Sequence, residues 1–244
     1  MRLVTCHDDH AGWSPVESRT GLRVVLVRHG RFRRLADGVP ADLDPTVGYV
    51  GLSGVEERFA HPSGGDECTA IRVSTPLWRL LAGDRPVASL LYVDARLDLA
   101  HRRLVRAVHG SDRAYALAEG LLALLAETLP VDRVAVDRRL VAAAREAVVA
   151  DAPAARGLMP LAAELGVSPY RLSRAFSREL GVSLTRYRNR VRVGRALDRI
   201  EAGYTNGARL AAELGFADQA HLSRTLRDHV GHSPNAVRAL LEVA

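Results

Sequence analysis

Two groups of residues in this chain have side chains and spacings suited to binding chemistry. The first lies in a phrase that occurs twice, LAAELGVSPYRLSRAFSRELG from Leu161 to Gly181 and LAAELGFADQAHLSRTLRDHVG from Leu210 to Gly231. Both copies place arginines and hydroxyl or amide side chains between apolar positions. Arg can donate two hydrogen bonds to guanine, Gln can pair with adenine, and Ser or Tyr hydroxyls suit phosphates. The duplicated phrase therefore favours contact with DNA.

The second group consists of metal-ligand side chains in two segments near the N-terminus. These candidate ligands are Cys6, His7, His10, His61 and Cys68. Zinc or copper could be held by such Cys and His ligands if strand pairing brought the two segments together. The pattern of a metal-dependent enzyme, paired His-x-His with a following Glu, is absent from the sequence. A metal site, a redox bridge between the two cysteines and no chemistry at all stay open, and we predict no cofactor.

Each copy of the phrase has the pattern of a helix, a tight turn and a second helix. In the first copy Gly166 ends the first helix, because glycine adopts a positive φ at little cost. Val167 then fills the turn, and Ser168 is the expected N-cap of the second helix. In the second copy we expect Phe216 to fill the turn and Asp218 to cap the helix. Apolar residues spaced by four in each second helix are predicted to face the core.

The outward positions of the two second helices are the candidate DNA contacts. They are Tyr170, Arg171, Ser173, Arg174 and Arg178 in the first copy, and Gln219, Ala220, His221, Ser223 and Arg224 in the second. A single arginine on a helix often does no more than solvate that face. A duplicated pattern within a basic half of the chain favours DNA binding.

One long helix, roughly residues 183–202, is predicted to connect the copies. At 1.5 Å per residue it would be about 30 Å long, and successive major grooves on one face of DNA lie ~34–36 Å apart. Such a helix could place two recognition helices in adjacent grooves from a single chain, and the site need not be palindromic. Several arginines of this helix, Arg190 among them, are predicted to contact the DNA backbone.

The charge of the chain is concentrated in its second half. Of 34 basic and 28 acidic residues, 16 of each lie in residues 1–131, so residues 132–244, with 18 and 12, carry the whole net charge of +6. This asymmetry is typical of a protein in which one half binds a polyanion. No apolar run reaches the ~18 residues that span a bilayer, and the N-terminus lacks the apolar core of a secretory signal. We therefore expect a cytoplasmic protein that does not enter a membrane.

Short β segments separated by Gly, Pro and Asp turns fill the first ninety-odd residues, with the strongest hairpin signal at Asp37-Gly38. Six segments are predicted as strands: LRVVLV, RFRRL, TVGYVGL, VEERFAH, CTAIRVS and VASLLYVD. TPLWRLLAG (75–83) is predicted as a helical insert. The fold class is α+β: a small β-sandwich or barrel domain over 1–96, a helix pair for packing or dimerisation over 97–130, and an all-helical domain over 132–244.

The helical half resembles the DNA-binding domain of the AraC/XylS family of bacterial transcription regulators. The resemblance spans residues 132–240 and is carried by LAAELGVSPYRLSRAFSRELGVS, RVRVGRAL and GFADQAHLSRTLRDHVGHSPNAVR. It implies two helix-turn-helix units on a long helix, with base contacts at Tyr170, Ser173, Arg174, Gln219, Ala220, His221 and Arg224. Ala220 stands where the family often has Ser, and Val237-Arg238 where it usually has Tyr-Arg. The N-terminal half is similar to the cupin-like sensor domain of many members, chiefly at HPSGGDECT (61–69).

These features predict a one-component, sequence-specific transcription regulator rather than an enzyme, and the resemblance implies an activator more often than a repressor. The expected partners are double-stranded DNA and RNA polymerase, while a second copy of the chain and a small-molecule effector stay open. Two alternatives are a cupin-type, metal-dependent enzyme with an accessory helical domain and an architectural DNA-binding protein without sequence preference.

Overall fold

The structure is a computed structural model of the 244-residue chain and describes residues 2–6, 10–82, 88–107 and 137–242. The chain divides into two compact units at residues 132–133. Within the described ranges, no helix is both long and apolar enough to cross a membrane.

Two antiparallel sheets form the N-terminal unit. The strands are β1 (Arg2–Cys6), β2 (Glu17–Ser18), β3 (Leu22–His29), β4 (Phe32–Ala36), β5 (Val39–Leu43), β6 (Val47–Gly51), β7 (Glu56–Ala60), β8 (Asp66–Val73) and β9 (Leu90–Tyr92). The first sheet has the strand order β1-β8-β3-β6-β9 and the second β2-β7-β4-β5. The six predicted strands are confirmed, whereas β1, β2 and β5 are not among the predicted segments. The hydrogen-bonded ladders form two sheets rather than one closed barrel.

The turn between β4 and β5 has the geometry that its sequence predicts. Asp37 and Gly38 both have positive φ, 47° and 76°, and Ala36 pairs with Val39 across the turn. Positive φ at both central residues is the requirement of the two-residue hairpin turn whose twist matches that of the strands. The register of β4, and with it the direction of its buried side chains, is fixed by this turn.

Helices α1 (Thr75–Ala82) and α2 (Ala95–Ala107) belong to the same unit. Leu97 of α2 packs in one apolar cluster with Leu91 and Val93 and with Val24 and Leu26 of β3. Alternate residues of β3 therefore face α2, and the intervening ones lie on the opposite face of the sheet. The helical insert at 75–83 is confirmed, whereas most of the predicted helix pair over 97–130 lies outside the described residues.

The C-terminal unit is helical throughout its described part. Its helices are α3 (Arg138–Val149), α4 (Leu158–Glu164), α5 (Pro169–Leu180), α6 (Leu184–Glu201), α7 (Gly207–Glu213), α8 (Gln219–Val230) and α9 (Pro234–Glu242), with a short 3-10 turn at Pro153–Arg156. Helix α6 contacts α3, α5, α8 and α9. Helix α4 packs on α5, and α7 packs on α8, so α6 is the element that the two helix pairs share.

Candidate nucleic-acid interface

Helices α4 and α5 form the first helix-turn-helix unit, unit 1, and α7 and α8 form the second, unit 2. Their turns and N-caps lie where the sequence predicts them. Gly166 ends the first helix of unit 1 with φ 65°. The Ser168 hydroxyl then accepts a hydrogen bond from the Arg171 backbone N–H at 3.2 Å. In unit 2 the Asp218 carboxylate accepts from the His221 backbone N–H at 2.6 Å. These caps fix the start of α5 and α8, the predicted recognition helices.

The inner faces of the recognition helices are apolar and buried. Leu172 and Phe176 of α5 and Leu222 and Leu226 of α8 are all fully buried. The Phe176 ring meets the ring of Tyr187 of α6 edge-on, with centroids 5.1 Å apart. The predicted i, i+4 spacing is confirmed, and it directs the polar residues of both helices outward.

Most candidate contact residues lie at the surface of the C-terminal unit. The exposed ones are Tyr170, Arg171, Arg174, Arg178, Gln219, Ala220 and Arg224, and the half-buried ones are Ser173, His221 and Ser223. Ser183 caps the 18-residue helix α6, which at 1.5 Å per residue is about 27 Å long. The connecting helix between the units is therefore confirmed, and it contacts both recognition helices.

Tyr170 and Arg174 form one surface group on α5. An Arg174 Nη1–H donates to the Tyr170 hydroxyl at 2.5 Å, and the guanidinium lies 5.4 Å from the centre of the Tyr170 ring. Residues four apart lie on the same helix face, and an arginine held over an aromatic ring has less freedom to lose on binding. The pair presents a partly ordered cation where the sequence predicts a base contact.

Arg171 makes a different contact from the one expected. Its guanidinium donates to both carboxylate oxygens of Asp137, at 3.1 to 3.4 Å, and so links α5 to the residue that precedes α3. This exposed pair is screened by solvent and can open. The pair engages Nε and Nη2 of Arg171, so a phosphate would meet a guanidinium whose charge Asp137 already offsets in part.

His221 stands at the start of α8 with one ring nitrogen already engaged. The Ala217 backbone N–H donates to its Nδ1 at 3.3 Å, and its ring meets the Phe216 ring edge-on at 5.4 Å. Because Nδ1 accepts, the neutral ring carries its proton on Nε2. His221 therefore stabilises the turn through Nδ1 and offers Nε2–H as a donor.

The prediction that Arg190 contacts the DNA backbone is wrong. Arg190 is 1 % exposed, so its guanidinium cannot reach a phosphate from this fold. It lies three residues after Tyr187 and beside Val191, both of which are buried. Its spacing from these residues places Arg190 in the apolar stripe of α6, although its charge alone favours a surface position.

Other arginines of α6 hold neighbouring parts of the unit together. Arg195 donates to the Val149 carbonyl at the end of α3 at 2.8 Å. Arg192 lies 5.9 Å from the centre of the Phe216 ring, which fills the turn of unit 2. The sequence predicts that several arginines of this helix contact DNA, but Arg195 holds α3 against α6 and Arg192 holds the turn of unit 2 against α6.

The predicted metal ligands are brought together only in part. The β1–β8 ladder places Cys6 opposite Asp66, and the rings of His10 and His61 lie 5.0 Å apart. His61 Nδ1 lies 2.6 Å from Asp66 Oδ1, burial raises the pKa of Asp66, and Cys68 is buried. Among the described residues there is no group of three or more His, Cys, Asp and Glu side chains that could hold a metal ion, and His7 lies outside them.

The sequence of the C-terminal unit matches a known family. Residues 161–239, which cover both helix-turn-helix units and α6, match the family model described as "Helix-turn-helix domain". The C-terminal unit carries an AraC-type helix-turn-helix domain. A domain of this type binds double-stranded DNA.

Three solved structures illustrate what this chain is similar to. ToxT from Vibrio cholerae O395 is 11 % identical, with 100 % of this chain and 98 % of that chain covered and a TM-score of 0.43. The C-terminal domain of AraT, a response regulator from Geobacillus stearothermophilus, is 26 % identical, with 41 % and 84 % covered and a TM-score of 0.39. An AraC-type regulator from Chromobacterium violaceum is 24 % identical, with 41 % and 89 % covered and a TM-score of 0.38. Among the curated proteins, none matches this chain.

Proposed function

We propose that this protein is a sequence-specific transcription regulator whose two AraC-type units bind adjacent major grooves on one face of double-stranded DNA. The observation that carries the proposal is the packing of both recognition helices on a single helix of about 27 Å. That length is close to the ~34–36 Å between successive grooves. One subunit then does what a symmetric dimer does with two.

The DNA site of this regulator is asymmetric and about two helical turns long. Unit 1 presents Tyr170 and Arg174, whereas unit 2 presents Gln219, His221 and Arg224. Arg favours guanine and Gln favours adenine in the major groove. Because the two helices carry different donors, the two half-sites differ in sequence.

The N-terminal unit is proposed to sense a small molecule and to change the DNA affinity of the regulator. Two observations support this role: the unit is compact by itself, and residues 1–131 carry no net charge, so they have no general attraction for DNA. Pairing with a second copy and contact with RNA polymerase as an activator belong to the same proposal. The same proposal places the protein in the cytoplasm.

Selection of bound sequences from a random DNA pool tests the proposal, followed by competition binding at 150 mM salt. We expect the selected site to bind at least about a thousandfold more tightly than random DNA. Equal affinity for both would contradict sequence recognition and favour an architectural protein. A stoichiometric metal together with turnover in a substrate screen would instead favour the enzyme alternative.

A further inference from the structure

A buried cluster of charged residues joins the two sheets of the N-terminal unit. It comprises Arg23 of β3, Tyr49 of β6, Arg34 of β4 and Glu57 of β7, and all four side chains are buried. An Arg34 Nε–H donates to Glu57 Oε1 at 2.7 Å, and an Arg23 Nη2–H donates to Glu57 Oε2. One carboxylate therefore binds two guanidinium groups.

The charges of this cluster do not cancel. Arg23 and Arg34 contribute two positive charges and Glu57 one negative charge. Burial raises the pKa of Tyr49, so its hydroxyl stays protonated at neutral pH and contributes none. Asp37, the acid nearest to Arg34 in sequence, is exposed in the hairpin turn, where solvent screens it. One unit of positive charge is left over within this cluster, and an unbalanced buried charge is costly.

Arg23 also has a donor without an acceptor. It is 6 % exposed, and its Nε–H has no hydrogen-bond partner among the described residues. Its side chain lies over Gly51, directly across the β3–β6 ladder. A Cβ at Gly51 would come within 2.7 Å of Arg23 Cζ. Only glycine at this position therefore leaves room for the Arg23 guanidinium.

We propose that this cluster, Arg23, Arg34, Tyr49 and Glu57, binds the carboxylate of a small organic acid between the two sheets. A carboxylate supplies the missing single charge and accepts two hydrogen bonds from a guanidinium. A phosphate monoester carries about −1.5 to −2 at pH 7 and would reverse the imbalance. The inference rests on the proposed sensing role of this unit, and it names the chemical class of the effector.

The surroundings of the cluster favour an acid with an apolar body. The ring of Phe59 lies 6.4 Å from that of Tyr49, and Phe32 lies 6.1 Å from Phe59. The Arg34 guanidinium lies 4.3 Å from the centre of the Tyr49 ring. Aromatic side chains thus adjoin the charged groups, as in sites that bind one polar end of a largely apolar ligand.

Binding of two acids and their neutral amides to the full-length protein tests the proposal. The probes are acetate and phenylacetate, compared with acetamide and phenylacetamide, and inorganic phosphate, each measured by calorimetry and by the shift in thermal midpoint. We expect each carboxylate to bind at least about tenfold more tightly than its amide, with phenylacetate tighter than acetate and phosphate no tighter than acetate. Equal binding of acids and amides would overturn the proposal, because a merely structural charge cluster has no preference between them.

Four variants locate the site. Arg23→Gln and Gly51→Ala should each reduce phenylacetate affinity about tenfold or more, the second without removing a charge. Glu57→Gln should raise the affinity, since it leaves two unbalanced cations. Arg33→Gln, on the exposed face of β4, is the matched control and should leave it unchanged. Carboxylate affinity that survives both Arg23→Gln and Gly51→Ala would place the site elsewhere and refute the assignment.

DNA binding by the same protein separates this inference from the proposed function. If the protein selects a DNA site but shows no preference for carboxylates, only the inference fails. If it binds carboxylates but shows no DNA sequence preference, only the proposed function fails. Should a variant not fold, the comparison of acid with amide in the wild-type protein still decides the first point.

Discussion

Replacement of Arg190 tests whether the arginines of α6 bind DNA or hold the fold together. Arg190→Met keeps most of the aliphatic side chain but removes the guanidinium. Since Arg190 is 1 % exposed and interacts with a neighbouring group, its replacement removes a buried interaction. Such a loss costs about 1–3 kcal/mol for a hydrogen-bonded group and about 3–5 kcal/mol for a buried ion pair. We expect the free energy of unfolding to fall by about 2–4 kcal/mol.

Urea denaturation followed by helical circular dichroism measures this change in the C-terminal unit, because the described helices are concentrated there. With a slope of about 2 kcal/mol per molar urea, the midpoint should fall by about 1–2 M. Arg186→Met is the matched control: Arg186 is exposed on the same helix, and its loss should change stability by no more than about 0.5 kcal/mol.

The salt dependence of DNA binding gives the second part of this test. A lost phosphate contact would lower the slope of log K against log salt by about 0.9, whereas a buried arginine should leave the slope unchanged. If Arg190→Met lowers the slope and leaves the urea midpoint unchanged, the guanidinium contacts DNA and the structural explanation is wrong.

Three further predictions concern the recognition helices, the turns and a buried histidine. Arg174→Ala and Arg224→Ala should each cost about 1–3 kcal/mol on the selected DNA site but little on random DNA; equal losses on both in competition binding would make them phosphate contacts. Phe216→Ala should reduce the free energy of unfolding by about 3–5 kcal/mol, because its ring is buried. Val167 fills the corresponding turn of unit 1 but is only half-buried, so Val167→Ala should cost about 1 kcal/mol. Similar urea midpoints for the two variants would contradict this difference. Burial lowers the pKa of His101 to about 4, so the unfolded chain binds a proton first as pH falls below 6.5. About 3 kcal/mol of stability is therefore lost between pH 6.5 and 4. His101→Gln should remove this part of the pH dependence, and an unchanged plot of unfolding free energy against pH would refute the explanation.

Local signals predicted the helix-turn-helix units because each one acts within a few residues. Ser168 and Asp218 cap their helices through backbone N–H groups three residues away, and Asp37-Gly38 sets a turn by its own φ angles. Such effects need no knowledge of the remaining chain, so the sequence alone was sufficient for these elements.

Local signals do not predict ion pairs between side chains that are far apart in sequence. The ion pair between Arg171 and Asp137 joins residues 34 positions apart. The contact of Glu57 with Arg23 joins the two sheets, and its contact with Arg34 joins neighbouring strands of one sheet. The prediction of a DNA contact for Arg190 rests on its charge, whereas its position in the buried stripe of α6 determines where the side chain lies. Exposure on a helix is a periodic property, and the apolar neighbours at i−3 and i+1 were the better guide.

Hydroxyl-radical footprinting of the full-length protein on its selected DNA site tests the central claim most directly, namely that one subunit places both recognition helices in consecutive major grooves. The account predicts two protected segments about 10 base pairs apart on one face of the duplex, with Arg174→Ala weakening protection of one and Arg224→Ala that of the other. Protection of a single groove on the tightest-binding site, unaffected by one of these two variants, would contradict it.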